Sequence, residues 1–87
     1  MTTPTTTNAM LTRTIETVES EIVIARSKFF AACNVQRLAY CDLYNAEFAG
    51  TGIAHATSNA IASDVLTTRA GRTYSLLCDE LTVLFAD

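Results

Sequence analysis

Cys33, Cys41, Cys78 and His55 are the side chains from which a zinc site could be drawn in this sequence. Tetrahedral zinc holds each ligand about 2 Å away. Cys33 and Cys41, eight residues apart, would be separated by about 12 Å along one continuous helix. The four do not converge, so no metal ligands are expected. His55, Ser58 and Asp64 contain the atoms of a hydrolase triad. No nucleophile elbow, glycine-rich oxyanion loop or pocket-forming strand accompanies them, and His55 is expected instead to contact Glu47 across a turn. Arg69 and Arg72 share a helix face and could grip a phosphate or carboxylate; a solvated or internally paired surface is the simpler reading. Without a convergent polar set, the expectation is no catalytic residue, no cofactor and no enzymatic activity.

The elements that would have to position these groups are helices. From Leu11 to Phe48 apolar residues return at alternating steps of four and three, with neither glycine nor proline between them. Leu11, Ile15, Val18, Ile22, Ala25, Phe29 and Ala32 form an unbroken heptad seam, the pattern of helices packed lengthwise as in a coiled coil. Val23 and Phe30 begin a second stripe, and Tyr40, Tyr44 and Phe48 continue the apolar surface at four-residue steps. Asn8 has the chemistry to cap this helix. A break near Asn34, giving three helices, is the alternative, since asparagine is a poor helix former.

Gly50-Thr51-Gly52 is the clearest punctuation. Gly50 suits the left-handed residue that ends a helix, and Thr51 could cap the next. Beyond it, Ala54, Ser58 and Ala62 recur at four-residue steps, as do Ala56 and Ala60. The phase of Leu66, Ala70, Tyr74, Leu77, Leu81 and Leu84 runs through Gly71 unshifted; an interior glycine costs a helix about 1 kcal/mol relative to alanine, so either one helix spans about Ile53 to Ala86 or two collinear pieces meet there. The expected fold is all-α: an elongated antiparallel helical hairpin of residues 9–49 and 53–86, following a flexible threonine-rich arm at residues 1–7. Pairing about Thr51 sets residue i opposite roughly 102 − i. Tyr40, Tyr44 and Phe48 are expected to pack over Ala54, Ser58 and Ala62, leaving Leu11, Ile15, Val18, Ile22, Val23, Phe29 and Phe30 for a second molecule.

Composition supports a shared surface. The chain has 87 residues, 49 % of them hydrophobic and only 17 % charged, at a size where a single core is marginal. A net charge of −3 without a dense basic block argues against nucleic acid. The start lacks the basic and apolar regions of a signal peptide, and the longest uncharged run, Phe48 to Ser63, is too polar for a membrane span. Three cysteines without close pairing point to reduced thiols and a cytoplasmic setting.

Charge is also segregated. Leu11 to Ile24 sums to −2 and Cys78 to Asp87 to −3, while the stretch between sums to +2. In a hairpin the acidic segments meet at the open end, which favours staggered packing of one molecule's end against another's middle. The functional expectation is a non-enzymatic structural subunit that forms a homo-oligomer or packs in a larger particle. A small acidic adaptor or inhibitor that docks on a partner protein is the second expectation.

Phe48-Ala49-Gly50 between two long helices resembles the W-x-G turn of small secreted helical dimers, with phenylalanine in the tryptophan position. The chain has no tryptophan, and Tyr74 is followed four residues on by Cys78 where that family's tail carries aspartate. No family is assigned on these residues.

Overall fold

A computed structural model describes residues 13–86 as two helices, α1 (Ile15–Ala49) and α2 (Ile53–Ala86), packed as an antiparallel hairpin. At about 1.5 Å per residue the 35 residues of α1 span roughly 52 Å. The threonine-rich arm, Asn8 and Leu11 lie outside the described residues. Among the described residues, no helix is long and apolar enough to cross a membrane.

The first helix starts later than the uninterrupted heptad suggested, because Arg13 and Thr14 are not helical. Thr14 is the cap: its backbone is extended (φ −77°, ψ 154°) and its hydroxyl accepts from the Thr17 amide at 3.1 Å. Its carbonyl takes the first helical bond, from the Val18 amide. Capping requires a polar side chain at an extended residue, and Thr14 supplies it inside the heptad. Glu16 in the first turn complements the positive end of the helix dipole. Asn34 does not break α1, which rules out the three-helix alternative for this stretch. Its carboxamide instead accepts from the Arg37 guanidinium on the same face.

The turn needs two residues with positive φ, and the sequence places glycine at both. Gly50 (φ 75°) ends α1 by donating to the Ala46 carbonyl at 2.8 Å. Gly52 (φ 71°), not Thr51, then occupies the cap position of α2, its carbonyl accepting from Ala56 at 3.0 Å. Either site would strain a residue bearing Cβ.

The seam between the helices is narrow and built from small side chains. Val18, Ala25 and Ala39 of α1 and Ala56, Ala60 and Ser63 of α2 are its buried residues. The larger heptad residues Ile15, Ile22, Phe29 and Leu43 are half-buried along the same line. Ser63 satisfies its hydroxyl by donating to Ala60's carbonyl, and Thr67 bridges the helices by donating to the carbonyls of Ala32 and Ser63. Gly71 stays within α2 because it receives the Phe29 ring, which also stacks on Tyr74 at a centroid separation of 6.1 Å. The contacts of Phe29 with Tyr74 and of Gln36 and Tyr40 with Asp64 fit a pairing of i with about 102 − i.

Two packing expectations reverse. Tyr44 and Phe48 are exposed, Phe48 almost completely at 97 %, and Ala54, Ser58 and Ala62 are exposed as well. Of that set, Tyr40 alone is drawn partly into the hairpin, by its bond to Asp64. The reason is rotational: α2 turns its Ala56, Ala60 and Ser63 stripe towards α1, placing the Ala54, Ser58 and Ala62 stripe on an outer side. Backbones can approach over either row of small residues, and the continuation into Thr67, Ala70, Tyr74 and Leu77 selects the first.

Candidate interaction surface

The seven residues expected at a partner interface divide sharply in space. Val18 is fully buried in the hairpin, and Ile15, Ile22 and Phe29 line the same seam. Val23 and Phe30 point outward and are each 60 % exposed. Leu11 lies outside the described residues. The heptad is therefore the surface that holds the chain's own helices together, and the residues beside it form the outer surface.

That outer surface is strongly apolar. Among the described residues, fourteen large hydrophobic side chains are at least 41 % exposed, on both helices. Val23, Phe30 and Tyr44 fall at seven-residue intervals, with Arg37 in the remaining position, along one outer stripe of α1. The opposite flank is a pair of shallow open clefts. One, of about 330 Å³, is lined by Val35, Leu38, Asp42, Asn59, Ala62 and Leu66. The other, of about 190 Å³, lies nearer the open end between Ile24, Lys28 and Leu77. Sequence reading missed Ile24, Val35, Leu38 and Leu66 as surface residues. For Ile24, Val35 and Leu38 the signal was present as apolar positions out of phase with the heptad, which one seam cannot bury, whereas Leu66 shares the sequence phase of Ala70 and Tyr74 and is nonetheless 56 % exposed.

The polar side chains engage one another. Asp64 accepts from Gln36 Nε2 at Oδ1 and from the Tyr40 hydroxyl at Oδ2, both at 2.7 Å. The Gln36 bond, then the Tyr40 bond, hold the Asp64 carboxyl below its usual range, against a smaller opposing effect of burial. Tyr40 is pushed up, first because its proton is donated to Asp64, then by burial and the neighbouring charges. This junction ties the helices in register. At the open end Arg13 pairs with Glu21 through Nη2 and holds Nε 3.2 Å from Glu80 Oε2, within ion-pair range but off the line of a hydrogen bond. Such part-exposed pairs contribute about 0–1 kcal/mol each.

The remaining candidate chemistry is dispersed. His55 is exposed and meets Asn59 Nδ2 at 3.3 Å through Nε2, rather than Glu47. Asp64 lies nine residues beyond His55 on the same helix, about 13 Å along its axis, and is committed to Gln36 and Tyr40. Cys33 and Cys78 are half-buried free thiols and Cys41 is an exposed one. Among the described residues, no three of histidine, cysteine, aspartate and glutamate are grouped to hold a metal ion. Arg69 and Arg72 flank an open depression of about 330 Å³ together with Asp64, Val65 and Thr68. No family model, curated protein or solved structure matches the chain.

Proposed function

We propose that this protein is a non-enzymatic structural subunit, a helical hairpin that packs laterally with copies of itself in an oligomer or larger particle. The observation that carries the reading is the imbalance between core and surface. Among the described residues, the buried apolar ones are one valine and four alanines, while fourteen large hydrophobic side chains remain at least 41 % exposed. Fully burying a large aliphatic or aromatic side chain stabilises by about 1.5–3 kcal/mol, and a substantial part of that gain is left open at these exposed side chains. Large exposed apolar surface marks interaction sites. The odd number and wide spacing of Cys33, Cys41 and Cys78 support a reducing, cytoplasm-like setting.

Light scattering across a concentration series, with helical circular dichroism on the same samples, tests this reading. The expected result is a helical species whose mass exceeds one chain and rises with concentration towards a plateau. A helical, cooperatively unfolding monomer at every concentration would refute it.

A further inference from the structure

We propose that a second copy of this chain docks antiparallel along the outer stripe of α1, in the register that sets Val23 of each copy against Phe30 of the other. This rests on the assembly reading above and deepens it by naming the occupant and the register. Glu16, Val23, Phe30 and Arg37 lie at seven-residue steps on α1, outside the seam with α2, and all four are exposed. Their order of acid, apolar, apolar, base is complementary to its own reverse. Both the Val23/Phe30 and the Glu16/Arg37 pairs are symmetric about the peptide between Arg26 and Ser27. An antiparallel copy that matches the apolar pair therefore also brings each Glu16 opposite an Arg37. The contact is closed and two-fold, as an isologous dimer requires.

Geometry permits all four contacts. Glu16 and Arg37 each stand ten and a half residues from the centre, about 30° short of three full helical turns, a deviation their long side chains can span. Antiparallel helices crossing at about 20° remain adjacent over such a length. A parallel copy in register would set Glu16 on Glu16 and Arg37 on Arg37, which like-charge repulsion opposes.

The charges are available for this use. The ion pairs among the described residues belong to Arg13, with Glu21 and Glu80. Arg37 is oriented by donating from Nη2 to Asn34 Oδ1 at 3.0 Å, which positions the guanidinium while leaving its charge uncompensated. The cleft of Val35, Leu38 and Leu66 on the other flank is comparably apolar, but it has no such reversed order of charges to orient a partner. The register also creates one like-charge approach, since Arg26 of both copies falls beside the two-fold axis.

The test is sedimentation or light scattering of the full chain at low salt, on wild type and on E16R, R37E, E16R/R37E, R26Q and F30S, each checked for retained helicity. E16R and R37E should each weaken self-association roughly tenfold. The double reversal should restore it, R26Q should tighten it, and F30S should abolish it. Self-association that neither reversal disturbs, or that the double variant fails to restore, overturns the register while leaving the assembly reading intact. A wild-type monomer at every concentration overturns both.

Discussion

Replacing Gly71 with alanine sets two effects of similar size against each other. An alanine in a helix interior is favoured over glycine by about 1 kcal/mol. The added Cβ would lie 3.0 Å from Phe29 Cε1, 3.5 Å from Cδ1 and 3.8 Å from Cζ. Carbon pairs prefer about 3.5–4.0 Å, so the ring must withdraw by several tenths of an ångström. It is held by its stack on Tyr74, at 6.1 Å, and by Phe30 beside it. Overpacking of this kind costs about 1–3 kcal/mol. G71A alone should therefore leave stability unchanged or lower it by up to about 2 kcal/mol. Removing the ring removes the conflict, and G71A in an F29A background should stabilise by the full propensity difference of about 1 kcal/mol. Urea unfolding of the four proteins of this cycle, followed by helical circular dichroism at one fixed protein concentration, measures the coupling. Fixed concentration matters because self-association would add to apparent stability. A coupling of about 1 kcal/mol or more is expected between these contacting residues. If G71A stabilised both backgrounds equally, Phe29 would have no need of a glycine opposite it and the reasoning would fail.

The Asp64 junction should be visible in acid. Its carboxyl has a lowered folded value, so its stabilisation is complete above the unfolded value of about 3.9 and fades as pH falls through the lower folded value. D64N should remove that part of the pH dependence, read as the difference between wild-type and variant melting temperatures from pH 7 downwards; parallel curves would contradict the assignment. V18A truncates a fully buried side chain and should cost about 2 kcal/mol in urea unfolding. By contrast, F48S alters a ring that is 97 % exposed and should change single-hairpin stability by no more than about 0.5 kcal/mol. T14A removes the hydroxyl that accepts from Thr17 and should cost about 1 kcal/mol, with faster amide exchange confined to the first turn of α1.

Local chemistry made the hairpin legible. Heptad spacing specifies a helix wherever it occurs, and Gly50 and Gly52 specify a turn because that turn needs positive φ. The approximate register followed from the turn alone; the unshifted phase across Gly71 fitted either one helix or two collinear pieces, and α2 is continuous there. The helix start was not legible: Asn8 was the expected cap, whereas Thr14, with its extended backbone, is the residue that caps α1.

The sequence by itself determined two long helices, the turn joining them, and more apolar surface than one seam can use. Tertiary structure decided how each helix is rotated about its axis. Two rows of small residues on α2 were equivalent in sequence, and Ala56, Ala60 and Ser63 face α1 while Ala54, Ser58 and Ala62 do not. That choice commits the heptad of α1 to the hairpin and turns Val23, Phe30, Tyr44 and Phe48 outward. Periodicity reports which residues share a face, whereas the partner that covers the face depends on contacts from distant residues. Gly71 shows the same division: its propensity cost is local, and the Phe29 ring that occupies the space it leaves is brought there only by the fold.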